Sequence, residues 1–376
     1  MNLTFCVDKY KNVIYNACEH CSTKEEQYLS SMRDVAQLAG ASVSTVAAVI
    51  NGNKFVSEDL KRRIETAILQ TGYRKPQPSN QDESRRTLAV ILPGIFSTFF
   101  SPVLTSICDA ASERNMSVML MDSKRSIQIE TDLLKSCIKR GIYNIILDSV
   151  CDVKNEEAYF SEIRREMIEK RGMNIALIER RMADDAFFSV YVNNYNASYE
   201  ATCHLLEQGC RHLVHITGAN EFPHTRIREA AFRAALLEHG IRFDEKLLMQ
   251  GDYTPLSGFA ALRSILETGI PADGVFAAND QMAIGAIKAL HAGGRKVPDD
   301  FAVVGFDNLP MASLVTPGLT TVQFPIYQLG YRAVNMLADT LDGNRPTNPR
   351  LKLDYRLIVR SSSVRGHNDD WELLGW

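Results

Sequence analysis

The sequence is poor in several features that would settle its class at once. It has no apolar stretch near the roughly 18 residues that a membrane-spanning helix needs. The first residues, MNLTFCVDKYKNVIYNACEHC, show no basic segment followed by an apolar run, so no secretory leader is expected and the cytoplasm is the expected compartment. Eight cysteines in 376 residues are too few for a dense disulfide framework. Five of them (Cys108, Cys137, Cys151, Cys203 and Cys210) lie in or beside patterned segments, where a thiol behaves as a small hydrophobe. Cys18-Glu19-His20-Cys21, with Cys6 nearby, lacks the second ligand pair of a structural zinc site. Phosphate-cradling glycine loops, a G-x-S-x-G elbow and an H-E-x-x-H pair are all missing, so no cofactor, metal or catalytic group is expected. A large charge excess is missing too. With 42 basic and 45 acidic residues the net charge is −3, so any contact with nucleic acid must come from a local patch.

What remains is an ordinary globular composition, 45% apolar and 23% charged, which excludes a disordered or low-complexity chain. At roughly 100–200 residues per domain the length suggests two or three units. Residues 1–30 are irregular, 31–73 carry only helical signals, and 74–86 (RKPQPSNQDESRR) have linker composition. A translation start at Met32 or Leu29 would make residues 1–28 an over-extended reading frame. Ser31 as a helix cap argues against Met32, and an intact mass decides. From Thr87 to about Val364, short apolar runs alternate with amphipathic stretches. The runs are Leu88–Leu92, Ser117–Met121, Asn144–Leu147, Asn174–Ile178, Ser189–Val192, His212–Thr217, Gly274–Ala278 and Phe301–Gly305. Apolar runs without alternation fit strands buried on both faces, and their alternation with helices fits parallel βαβ units in two lobes. His204, His212 and His215 cluster in sequence, but the odd spacing of the last two places them on opposite faces of a strand, and no metal site is expected.

The head is read from its caps. Ser31 with Asp34 forms a capping box ahead of Val35, Leu38 and Ala39, which the periodicity turns inward. Gly40-Ala41 stops that helix. Ser42 caps a second, Val43 to Ile50, and Ser57 a third, with Leu60, Ile64, Ala67 and Ile68 on one face. Two short helices and a third packed across them make a helix-turn-helix. Helical spacing alone fits a small ligand-free cap equally well. Charge favours nucleic acid: residues 31–75 hold seven bases against four acids, an excess of three on a small unit.

The stretch Arg33-Asp34-Val35-Ala36-Gln37-Leu38-Ala39-Gly40-Ala41-Ser42-Val43-Ser44-Thr45-Val46, followed by Val49-Ile50-Asn51-Gly52, resembles the DNA-binding head of the lactose/galactose repressor (LacI/GalR) family. Val56-Ser57 and Thr71-Gly72-Tyr73 are similar to its third helix. The resemblance implies a second helix in the major groove, with base contacts from Val43, Ser44 and Ala48. Thr45 and Asn51 would lie near the phosphates, and Tyr73 joins the DNA-binding set. The pattern departs from the family at Ala47-Ala48, where Ser-Arg is usual. An arginine there could fork onto a guanine edge, whereas alanine offers only an apolar contact such as a thymine methyl. Lys75-Pro76-Gln77-Pro78-Ser79-Asn80 also lacks the hinge leucine, and Pro78 discourages a helix before it, so weaker minor-groove kinking is expected.

The body is read from strand ends, where doubly wound sheets bind ligands. The polar or aromatic residues after strands include Ser97 to Phe100, Glu179-Arg180, Asn193 to Tyr195, Asn279-Asp280 and Asp307-Asn308, and Arg226 and Arg228 open a helix. Carboxylates, amides, a guanidinium and an aromatic face suit a sugar. Each has a plainer role open to it: Asn279 or Asp307 as a helix cap, Arg226 as a solvated residue, Phe99 as core. Ala278 to Ala286, Val303 to Asp307 and Leu319 to Val322 resemble the same family's effector domain, itself similar to periplasmic sugar-binding proteins. The resemblance implies Arg226 or Arg228, Asn279 and Asp307 as effector contacts, with Glu179 standing where Asp is common; Phe99 and Phe100, as the aromatic face a sugar needs, complete the expected effector set. The charged segment 150–173 is read as a lengthened connection.

The expected fold is thus an N-terminal helix-turn-helix three-helix head plus an α/β two-lobed periplasmic-binding-protein-like body of doubly wound parallel sheets. One lobe is expected at about 87–191 and 325–342, the other at about 193–323 and 350–364, with an acidic tail at 365–376. The expected function is a transcriptional regulator, a repressor, with double-stranded operator DNA, a small-molecule effector (a sugar or related metabolite) and a homodimeric second copy as partners, and no membrane. The alternatives are a free sugar-binding protein and an α/β sugar-processing enzyme.

Overall fold

The computed structural model describes residues 31–51, 56–71, 73, 86–219, 222–367 and 369, and the chain forms two compact units, 1–80 and 81–376. The extension 1–30 with its Cys-x-x-Cys, the linker residues 74–85 and the tail from 370 onward lie outside the described residues, as do the expectations placed on them.

In the first unit, α1 (Met32–Ala39), α2 (Val43–Asn51) and α3 (Glu58–Thr71) pack together. The capping box forms: Ser31 N–H donates to Asp34 Oδ2 (2.6 Å), and Asp34 N–H reaches Ser31 Oγ (3.4 Å). Losing such a cap costs about 1 kcal/mol. Gly40 ends α1 in the left-handed region (φ 60°). A Cβ there would also lie 2.7 Å from Arg63 Nη2, which donates to the Ala39 carbonyl and ties α3 to α1. Ser42 Oγ accepts the Thr45 N–H (3.1 Å) and starts α2. Val35, Ala36, Ala39, Val46, Ile64, Ala67 and Tyr73 form the core. Leu38 is a correction: expected inward, it is 54% exposed. At 100° per residue, Ala39 and Ala36 lie about 40° and 100° from Val35 on one side, and Leu38 about 60° away on the other. Small alanines keep the buried seam narrow, so Leu38 falls outside it.

The second unit holds two six-stranded sheets of the same winding. In the first, β1 (Thr87–Leu92) lies between β2 (Ser117–Asp122) and β3 (Asn144–Leu147), followed outward by β4 (Asn174–Ile178), β5 (Phe188–Val192) and β11 (Arg350–Leu353). In the second, β6 (Leu213–Thr217) lies between β7 (Leu248–Gln250) and β8 (Gly274–Ala277), then β9 (Ala302–Asp307), β10 (Thr320–Gln323) and β12 (Arg356–Ile358). The pairs are parallel, with Val90 opposite Leu120 and Ile146, except for the antiparallel β10–β12 pair. β3, β8 and β9 are buried throughout, as continuous apolar runs require when helices cover both faces.

Helices α4 (Phe100–Glu113), α5 (Ile127–Arg140), α6 (Glu156–Ile163, prolonged by a π turn to Glu169) and α12 (Ile326–Leu341) belong to the first lobe. Helices α7 (Asn194–Glu207), α8 (Pro223–Glu238), α9 (Pro255–Thr268), α10 (Asp280–Ala292) and α11 (Met311–Leu314) belong to the second. Two expectations need correcting. Residues 350–353 pair with Phe188–Val192 of the first sheet, so the last crossing between lobes falls at Asp354-Tyr355, not before Arg350. And 150–173 is no added connection but the α6 crossover that parallel neighbours β3 and β4 need. His212 precedes β6 rather than lying on it.

Candidate functional site

In both sheets the winding reverses direction at the first strand, between β1 and β3 and between β6 and β8, and the carboxyl ends there are where such folds hold ligands. Asp148 directly follows β3, Glu179 follows β4, Asp307 ends β9, and Asn279 opens α10 after β8. Together with Pro93, Gly94, Ser97, Phe99, Phe100, Arg125, Phe222, His224, Arg228 and Tyr253 they line one cavity of about 580 Å³, counting its mouth. Four lining residues that are not glycine hold left-handed backbone: Arg125 (φ 57°), Glu179 (62°), Tyr253 (69°) and Asp307 (109°). Each such conformation costs on the order of 1–3 kcal/mol and gathers where side chains must be aimed.

Arg228 is buried. Its Nε donates to Asn194 Oδ1 (2.9 Å) and its Nη1 to the Ala278 carbonyl, while the guanidinium carbon stands 3.7 Å from the centre of the Phe306 ring. Arg226, two residues earlier and about 200° round the same helix, is exposed and does not line the cavity, which corrects its expected role. Asn279 does act as a cap, its Oδ1 accepting Met282 N–H (2.9 Å), and its Nδ2 braces the Tyr253 carbonyl (3.1 Å). Tyr253 lies flat on the chain at Gly218, where a Cβ would come within 1.9 Å of its ring, and its hydroxyl meets Thr225 Oγ1 (2.7 Å). Phe99 packs edge-on against Phe100 (5.2 Å) and Phe324 (5.9 Å).

Burial dominates the electrostatics. It raises the Glu179 carboxyl to about 7, with Arg228 opposing. It lifts Asp307 well above the usual carboxylate range, against Arg228 and with the help of Asp280 and Glu179. Asp148 is raised likewise by burial and by Glu179. His224 is pushed well below its ordinary value by burial, then by Arg228 and Arg180, so it is neutral at pH 7. Arg180 lies behind Asp148 and Glu179, donating to Glu156 (2.6 Å) and the Cys151 carbonyl (2.6 Å) under the Phe160 ring. Glu130 takes Ser149 Oγ–H (2.6 Å), Val150 N–H (2.8 Å) and Tyr159 O–H (2.9 Å). Helix α6 and its neighbours thus fix the turn that presents Asp148. The lobes meet over the cavity through a hydrogen bond from Gln281 to Thr98 and a small apolar cluster of Val150, Ala219 and Phe222.

The structure therefore brings Phe99, Phe100, Glu179, Arg228, Asn279 and Asp307 together and leaves Arg226 out. Sequence reasoning missed Asp148, although the strand-end rule that found Glu179 applies to it equally. It also missed Arg125 and Tyr253, which sit in loops, and Phe222 and His224 at the start of α8, none of which periodicity marks.

On the head, Val43 (42% exposed) and Ser44 are presented at the start of α2, and Arg33, Lys61, Arg62 and Arg63 are exposed. Thr45 is half-buried, with its hydroxyl on Ser42 Oγ (2.7 Å). Two expected DNA contacts are corrected. The Ala48 methyl, too short to project past its surroundings, is 6% exposed, and Tyr73 is 8% exposed in the head's own core. The side chain of Asn51 lies outside the described residues.

Comparison with known proteins agrees with this anatomy. The family model for bacterial regulatory proteins of the lacI family matches residues 31–76, and that for a periplasmic binding protein-like domain matches 202–363. The HTH-type transcriptional regulator AscG of Escherichia coli K12 is 30% identical over 342 residues, 89% of this chain and 99% of that protein. The HTH-type transcriptional repressor CytR of the same strain is 29% identical over 344 residues, 90% of this chain and 98% of that one. Among solved structures, the transcriptional regulator CelR–cellobiose complex superposes with a TM-score of 0.65 at 29% identity, covering 89% of this chain and 100% of that one. Head, twin sheets and full-length similarity converge: the chain belongs to the lacI family of DNA-binding transcriptional regulators.

Proposed function

We propose that this regulator is a cytoplasmic repressor whose hold on its operator is set by a sugar bound between the two lobes. The observation that carries the reading is the cavity at the carboxyl ends of both sheets, with aromatic faces and convergent carboxylate, amide and guanidinium groups. The relative CytR is named a repressor, and CelR is described with cellobiose. Phe99, Phe100, Glu179, Arg228, Asn279 and Asp307 are the proposed effector contacts, joined by Asp148, His224 and Tyr253. The functional division is a head at 31–73 and a sensor at 87–364. Val43 and Ser44 read bases and Thr45 and Asn51 approach phosphates, in a homodimer on a two-fold operator. A ligand that prefers one arrangement of the lobes changes operator affinity by linkage.

Operator fragments enriched from random duplexes, followed by fluorescence anisotropy with and without candidate sugars, test this. Asp307→Asn should abolish the response to effector and leave operator affinity intact. Loss of both together would make Asp307 a structural residue and remove it from the sensor.

A further inference from the structure

The charges around the proposed sugar cavity are lopsided. Three carboxylates reach it from three different strand ends, Asp148, Glu179 and Asp307. The Glu179 side chain is only 6% exposed, and its Oε1 meets no hydrogen-bond donor. Among the described residues no hydrogen bond reaches the Asp148 or Asp307 carboxylate. Glu179 Oε1 is thus an acceptor held out of water without a donor, a condition that buried polar groups satisfy only with a partner, and Asp148 and Asp307 are free to meet a ligand.

The buried positive side is already occupied. Arg228 is bonded to Asn194 and Ala278 and stacked on Phe306. Arg180 sits behind the cavity wall, engaged with Glu156 and backbone carbonyls. Arg125 is exposed. His224 lies against Phe222 and Tyr253, where burial keeps it neutral.

Resting on the sugar reading of the cleft, we propose that its ligand carries no negative charge. It is a neutral or aminated sugar, and sugar acids and sugar phosphates are rejected. The ligand's hydroxyl or ammonium hydrogens supply the donors that the three carboxylates lack. An added anion would meet the same burial that already disfavours the charged form of all three carboxyls, which is worth about a hundredfold in affinity.

The test uses the full chain and matched series, followed by thermal shift and then calorimetry. In the gluco, galacto, manno, ribo and cello series the probes are the free sugar, its amino derivative, its acid and its terminal phosphate. The expected result is that free or aminated members of one series bind, and their acid and phosphate partners bind at least about a hundredfold more weakly. Asp148→Asn and Glu179→Gln should each narrow the gap between neutral and acidic partners. That gap is a ratio within one variant, so general weakening does not mimic it. An acid or phosphate that binds as tightly as its neutral partner overturns this inference and leaves the sugar cleft standing. Silence from every series removes the sugar reading and this inference with it.

Discussion

Glu179 carries a folding penalty that its position explains. Its carboxyl titrates at about 7 instead of 4.5 because burial disfavours the charged form. A raised carboxyl contributes stability that is complete below pH 4.5 and is lost as the pH rises through 7. Glu179→Gln should therefore be more stable than wild type by up to about 3 kcal/mol at pH 8, with the difference fading by pH 4.5. Urea unfolding at a series of pH values measures it, and a difference that does not change with pH would refute the shift. Gly218→Ala makes a second case. Its methyl has no room under the Tyr253 ring, so the substitution should move that ring, weaken effector binding at least tenfold and leave operator binding unchanged in the absence of effector. Titration calorimetry beside anisotropy separates the two effects. On the head, α2 offers bases only methyls and hydroxyls from Val43 to Ile50, and Val43 is its exposed apolar tip. Operator thymines facing it should be read by their methyl groups. Replacing them by deoxyuridine should cost about 1 kcal/mol or more in binding, and an operator indifferent to the exchange would contradict Val43 as a base contact.

Among the elements, β6 carries an acid-sensitive core. His215 packs against Phe232 and Phe276 (4.8 and 4.9 Å) in a cluster of three rings, with Nδ1 on the Phe276 carbonyl (2.9 Å) and Nε2 without a partner. Burial drives its proton affinity down to about 4 from 6.5. The unfolded chain takes up the proton first, so stability present above pH 6.5 is lost as the pH falls towards 4, by up to about 3 kcal/mol. His215→Phe should keep the stack and flatten this acid limb; an unchanged limb in chemical unfolding would assign it elsewhere. Legibility in the sequence also varied by element. Strands such as Asn144–Leu147 and Asn174–Ile178 are plain because both faces are buried and nothing interrupts the apolar run. Arg350–Leu353 is not, because an edge strand can alternate Arg and Lys with Leu and resemble a loop. The capping box at Ser31 announced α1, yet periodicity alone turned Leu38 the wrong way, since the width of a buried seam depends on the neighbours it packs against. Strand ends pointed to Glu179 and Asp307, whereas Tyr253 reaches the cavity only because a glycine 35 positions earlier clears its path, which no local pattern encodes.

At the scale of the molecule, the local basic excess on the head and the near-neutral whole predict a binding constant governed by counterion release. Operator affinity should fall by orders of magnitude between about 50 and 200 mM salt. A flat dependence would remove the phosphate contacts proposed for the head. Three chain segments join the lobes, at Asn193, at Phe324-Pro325 and at Asp354-Tyr355. The strands that feed them are neighbours, β5 beside β11 in one sheet and β10 beside β12 in the other. A lone tether would leave the halves free to swivel and shear in every direction, but three adjoining straps permit little beyond one book-like rotation. The affinity of any occupant is then channelled into a single coordinate, so a few hydroxyl contacts can throw a mechanical switch and not merely stiffen a floppy joint.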